Sequence, residues 1–132
     1  MKVLSSKTFV VEGPPQPKER PRRGFNGRWY TPKATAAYEH KVGACALAAG
    51  LRPDAAESHA GEYRVVVRLW FKDRRRRDVD NVVKSILDGL NGIAFVDDSQ
   101  IAEMTVQRNM DRDCPRAEIT VELTDGREAG DG

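Results

Sequence analysis

The stretch EYRVVVRLWFKDRRRRDVDNVVKSILDGLNG, residues 62–92, decides the fold. Over 62–72 it alternates: Tyr63, Val65, Val67, Leu69 and Phe71 share one face, and Arg64, Val66, Arg68 and Trp70 share the other. That predicts a strand with one core face and one mixed face. The period then changes. Val82, Val83, Ile86, Leu87 and Leu90 recur at helical spacing, which predicts a helix over about 80–91, stopped by Asn91-Gly92. Between the two elements lies RRRRDVDN, residues 74–81. Arginine runs attract anions, whereas paired aspartates repel them. A divalent cation bound by the aspartates, with a phosphate on its far side, would reconcile the two.

Working outward, TFVVE at 8–12 reads as a short strand. The prolines and glycines of 13–31 then predict an irregular basic arm. It carries Lys18, Arg20, Arg22, Arg23 and Arg28, interleaved with Phe25, Trp29 and Tyr30. Cations suit a nucleic-acid backbone and rings can stack on bases; equally, the rings could pin a solvated loop to the core. A helix follows over 33–50, with Thr31 as N-cap, Pro32 at its first position, Tyr38, Val42, Cys45 and Ala49 on one stripe, and Gly50 ending it. His40 falls on its surface. Residues 51–61 form a polar loop in which His59 has no partner signal. Strands are predicted at 101–109 and 116–124, the last from the alternation of Ala117, Ile119, Val121 and Leu123. DGREAGDG, 125–132, lacks apolar residues and is expected to be a flexible acidic tail. The order β, arm, α, β, α, β, β predicts an α/β (α+β) fold: a single domain over 1–124 with a small mixed sheet of about four strands and two helices on one face.

The net charge of +2 hides an asymmetry. Residues 1–41 hold nine Lys/Arg against three acids, 42–110 hold ten of each, and 111–132 hold three Arg against seven acids. A basic front fits a polyanionic partner. No apolar run approaches the ~18 residues of a membrane span, and no signal peptide is evident. Cys45 and Cys114 lack Cys-x-x-Cys spacing, so they read as free thiols in a reducing, cytoplasmic setting.

Asp78 and Asp80, at i and i+2 of extended chain, would point to the same side with Cα atoms roughly 7 Å apart. Asp80 is a candidate N-cap, and Lys84 lies one helical turn further along the same face. VDDSQI, 96–101, adds Asp97 and Asp98 just before the next strand; if that strand pairs beside the first, a third carboxylate reaches the site. Oxygen donors without His or Cys point to magnesium, with manganese as an alternative. A calcium EF-hand loop is excluded, because valines stand at 82 and 83 where it needs Asp/Asn and Gly. The bland reading is a helix cap with surface ion pairs, Asp88 being the i+4 partner of Lys84 and Asp97–Asp98 an ordinary turn.

RRDVDNVVKSILDGLNG followed by VDDSQI resembles the RusA family of Holliday junction resolvases, small phage- and prophage-encoded endonucleases. PQPKERPR and RWYTPKATAAYE resemble the family's front more loosely. The resemblance implies a homodimer that cuts branched DNA, the four-way junction of recombination and repair, by paired symmetric nicks with magnesium. It implies Asp78, Asp80 and Asp98 as metal-binding acids, Lys84 as the essential lysine and Arg77 as a DNA contact. The role of Asp97 stays open. Lys18, Arg20, Arg22, Arg23, Arg75 and Arg76 complete the expected DNA-binding set. Two other readings remain: a non-catalytic basic DNA-binding module, and a magnesium enzyme acting on small phosphates, against which stands the lack of a Gly-rich phosphate loop.

Overall fold

A computed structural model of the 132-residue chain describes residues 2–53 and 62–125. His59 and the tail from 126 onward lie outside the described residues. Among the described residues, six strands and two helices follow one another as β1 Val3–Glu12, β2 Arg22–Arg23, β3 Trp29–Tyr30, α1 Lys33–Ala48, β4 Glu62–Phe71, α2 Val79–Leu90, β5 Ile101–Met110 and β6 Arg116–Thr124. Four of the strands form a mixed sheet in the order β1-β6-β4-β5. β6 runs antiparallel to both its neighbours, and β5 runs parallel to β4. The α+β architecture expected from the sequence is the one observed.

The alternation of β4 places Tyr63, Val65, Val67, Leu69 and Phe71 in the core, with none more than 3% exposed. Ala117, Ile119, Val121 and Leu123 of β6 lie beside them, and Phe9 and Val11 complete that face of the sheet. α1 and α2 cover it with Tyr38, Val42 and Ala46 from one helix and Val82, Ile86 and Leu90 from the other. Each such large apolar side chain stabilises the fold by roughly 1.5–3 kcal/mol relative to exposure. The opposite sheet face is mixed, and its polar groups pair with one another. Arg64 meets Glu122 at 2.5 Å, Thr8 meets Thr120 at 2.9 Å, and the Arg116 guanidinium lies 4.1 Å from the centre of the Trp70 ring.

The two helices cross at glycines. A Cβ on Gly89 would lie 2.6 Å from the Glu39 carbonyl oxygen, and one on Gly43 would lie 3.1 Å from the Gly89 carbonyl oxygen. Only residues without side chains allow backbones so close.

Three expectations are corrected. β1 begins at Val3, five residues before the predicted strand. Val3 and Leu4 are exposed and show no alternation; the ladder with β6, Val3↔Thr124 to Glu12↔Arg116, holds this segment in place. Thr31 is not the cap of α1. Pro32 occupies the N-cap position in extended backbone (φ −53, ψ 142), and no side chain caps the helix. The C-terminal end is as expected, with Gly50 at φ +90 and Leu51 N donating to Ala46 O at 3.1 Å. Finally, the arm is not wholly irregular. Its prolines end at Pro21, and Arg22–Tyr30 closes into a hairpin, β2 pairing with β3, whose reversal uses Gly27 at φ +82.

Candidate active site

α2 starts one residue earlier than its apolar spacing suggests, and this decides how the two aspartates point. Asp78, not Asp80, is the N-cap. Its carboxylate accepts from Asn81 N at 3.2 Å and from Asn81 Nδ2 at 3.0 Å. Asp80 lies inside the first helical turn. Residues two apart on a helix do not face each other, so the same-side geometry expected of an extended Asp-x-Asp is lost. Asp78 borders a pocket with Lys18, Arg20, Pro21, Asn81 and Lys84. Asp80 borders a separate cleft between α2 and β5, with Lys84, Asp88, Asp98 and the apolar Leu87 and Met104. Lys84 lines both.

The second acidic pair divides in the same way. Asp97 caps the short 3-10 turn Asp98–Gln100, accepting from Ser99 N at 3.1 Å. Gln100 reciprocates through Oε1, which accepts the amides of Val96 and Asp97 at 2.9 and 3.2 Å. Hydrogen bonds from the Ser99 side chain and then the Ser99 amide hold the Asp97 carboxyl below its ordinary range. Asp98 is left exposed and faces the cleft with Asp80. Pairing of β5 beside β4, the condition for a third carboxylate to arrive, is met. The pairing is parallel, however, so Asp98 precedes Ile101 opposite Tyr63, whereas Asp78 follows the far end of β4. Among the described residues no three Asp, Glu, His or Cys side chains gather closely enough to hold one ion. Of the three carboxylates on this cleft Asp88 is engaged by Lys18; Asp80 and Asp98 still fit a hard cation that keeps most of its own water and takes one or two protein oxygens.

The basic residues also sort into two kinds. Lys18 turns inward, 2.6 Å from Glu39 and 2.8 Å from Asp88, with its side chain 21% exposed. Partial burial opposes its charge, but the hydrogen bonds to Asp88 and Glu39 outweigh that and raise the ammonium's pKa above its usual value. Asp88 is therefore the partner of Lys18 rather than of Lys84. Arg77 braces the arginine loop, bonding Asp73 at 2.7 Å and the Arg75 carbonyl at 3.1 Å while lying over the Phe71 ring. Arg74, Arg75 and Arg76 are exposed just before α2, and Arg20, Arg22 and Arg23 are exposed on the arm.

The family model described as Endodeoxyribonuclease RusA matches residues 12–122 of this 132-residue chain. The chain belongs to the RusA family of endodeoxyribonucleases. The match takes in the arm, both helices, DVDNVVK and VDDSQI, and the α+β fold is consistent with it. A search of curated proteins finds no match. No helix among the described residues is long and apolar enough to cross a membrane.

Sequence reading missed Asn81 and Glu39 in this RusA-family chain. Asn81 was open to discovery: a polar residue three places after an Asp is a capping pattern, and it would have put the cap at Asp78. Glu39 carried no signal, because its contact with Lys18 joins residues 21 apart.

Proposed function

We propose that this chain is a magnesium-dependent endonuclease that resolves four-way DNA junctions as a homodimer. The observation that carries the reading is the cleft where Asp80, Asp98 and Lys84 meet, flanked by the exposed arginines of the arm and of the loop before α2, in a chain of the RusA family. Asp80 and Asp98 would hold the metal, with Asp78 joining if its cap opens and Asp97 remaining in its turn. Magnesium, when bound, would supply a water of lowered pKa and neutralise charge on the scissile phosphate. Lys84 sets a cation against the negative charge that grows on the phosphate during attack. Arg20, Arg75 and Arg76 would bind neighbouring phosphates, Arg77 would shape the loop that presents them, and Lys18 would seat the arm. One chain offers one acidic cleft, and two symmetric nicks need two, which a two-fold dimer provides. The exposed Cys114 and half-buried Cys45, both free thiols, suit a reducing cytoplasm.

A labelled four-way junction and a matched linear duplex, each incubated with and without magnesium, test the reading. Cutting should be selective for the junction and stop with chelator, while binding survives. Asp80→Asn should cut slower by orders of magnitude. Its stability should stay within about 0.5 kcal/mol of the parent, since Asp80 is exposed and is not the cap. Asp97→Asn keeps a capping side chain and should cut at near-parent rate. Cutting that persists in chelator, or an Asp80→Asn protein that cuts normally, would show the site to be misplaced. Sedimentation as a monomer under cutting conditions would remove the dimer.

A further inference from the structure

The hairpin Arg22–Tyr30 holds its rings away from the protein. Phe25 is fully exposed, Trp29 is 69% exposed and Tyr30 is 50% exposed. The reading in which aromatics pin the arm to the core therefore does not hold for these three. Phe25 sits at the apex of an ordered turn, in which Gly27 N donates to Gly24 O at 2.9 Å. Two further bonds close the loop: Gly24 N donates to Arg28 O at 2.8 Å, and Arg28 N donates to Asn26 Oδ1 at 3.1 Å. Below the apex the strands pair each arginine with a ring, Arg22 opposite Tyr30 and Arg23 opposite Trp29. A solvated loop gains nothing from exposing three rings on a folded turn; a surface that stacks on a flat partner does.

The surrounding charge names the partner. Residues 20–38 contain Arg20, Arg22, Arg23, Arg28 and Lys33 and no acid. Glu19 lies just before this run and pairs with Arg22 at 3.6 Å, but cations outnumber it around the rings; rings set among a net excess of cations match bases on a phosphate backbone. The hairpin also starts where the arm leaves the active-site region, since Pro21 lines the pocket of Asp78 and Lys84. Phe25 is four residues further on, a reach of at most roughly 14 Å.

We propose that the hairpin is the branch-reading element of this nuclease, with Phe25 stacking on a base exposed where the DNA strands exchange, within a few nucleotides of the cut. In a continuous duplex every base face is covered by its neighbour, so the ring gains nothing there; at a branch point one face is open. This rests on the junction-cutting reading above and deepens it by naming what selects the branch.

The test uses four-way junctions and linear duplexes that carry 2-aminopurine next to the branch or at the matching duplex position, with chelator present so that nothing is cut. Parent protein should change the emission of the branch probe and leave the duplex probe unchanged. Phe25→Ala and Phe25→Leu should lose that change and lower the junction-over-duplex affinity ratio by roughly tenfold. Phe25→Trp should keep both. Because Phe25 is exposed, all three should fold, as far-UV circular dichroism would verify. Full junction selectivity in Phe25→Ala, or an unchanged branch probe under bound parent protein, would overturn the hairpin proposal and leave the nuclease reading standing. A shift of Phe25→Ala from dimer to monomer would assign the ring to self-association and overturn it too. Parent protein that neither binds nor cuts junctions would overturn both readings.

Discussion

The arm consists of two halves that look alike in sequence and behave oppositely. Residues 16–21 and 22–30 are both rich in cations. The first half is seated on the helices. Ser85 Oγ donates to Gln16 O at 2.6 Å, Lys18 N donates to Asn81 O at 2.9 Å, Glu19 N donates to Thr35 Oγ1 at 3.1 Å, and the Lys18 ammonium joins Glu39 to Asp88. The second half is held mainly by bonds within itself, with one exposed ion pair from Arg22 back to Glu19 at 3.6 Å, and it exposes its side chains. A basic residue is thus not in itself a DNA contact. Where carboxylates of the helices close on it, as Glu39 and Asp88 do on Lys18, the cation belongs to the fold; where only an exposed neighbour such as Glu19 is at hand, as for Arg22, it faces outward.

The comparison predicts that changes at the seated residues of the first half, exposed Arg20 apart, alter stability and that changes in the projecting half alter binding. The largest effect expected is in binding. Replacing Arg22, Arg23 and Arg28 together by Gln removes up to three phosphate contacts. Affinity for any DNA should fall about a hundredfold at moderate salt, with a flatter dependence on salt concentration. Urea denaturation of the same protein should match the parent to within about 0.5 kcal/mol. A clear loss of stability would break the comparison.

Lys18→Met should do the reverse. It leaves Glu39 and Asp88 together without their shared cation, and stability should drop by roughly 1–3 kcal/mol. The slope of DNA affinity against salt should stay near the parent's, whereas cutting should suffer because the arm is no longer seated. A changed salt slope with unchanged stability would return Lys18 to the DNA-contact set. Ser85→Ala is a smaller version. It strips the hydroxyl from Gln16 O in a fully buried position and should cost about 1 kcal/mol in urea denaturation.

The smallest effect concerns pH and the other arginine segment. The Arg75 amide, and then Arg77, hold the Asp73 carboxyl below its ordinary range. A carboxyl depressed in the folded state contributes stability above its unfolded pKa of about 4 and loses that contribution as pH falls through the folded value. The melting temperature of Asp73→Asn should therefore lie slightly below the parent's at neutral pH. The gap should close as pH drops beneath the carboxylate range. A gap that widens toward acid would mean that the Asp73 pairing does not hold the loop.

Much of this was legible in the sequence, and what was not has specific causes. β4 and β6 announced themselves because each has one dry face, and α2 because its apolar stripe is continuous. The first half of β1 was silent, since an edge segment held by ladder bonds needs no buried side chains. The acidic residues could be named from the sequence, but not which way each would point. Apolar spacing locates a helix to within a residue or so, and one residue is enough to separate Asp78 from Asp80. The seating of Lys18 was invisible because its partners Glu39 and Asp88 lie 21 and 70 positions away.

The glycine crossing of α1 and α2 has a wider consequence. Glu39 receives the close approach of Gly89 through its carbonyl and clasps Lys18 through its side chain. A single position therefore takes part both in the helix crossing, through its backbone, and in the anchoring of the arm, through its side chain. The opening between Arg20 on the arm and Asp78 on α2 inherits the spacing of that crossing. Its width is gauged by interlocked backbones, so a proline-rich loop acquires the mechanical tolerance of a protein interior.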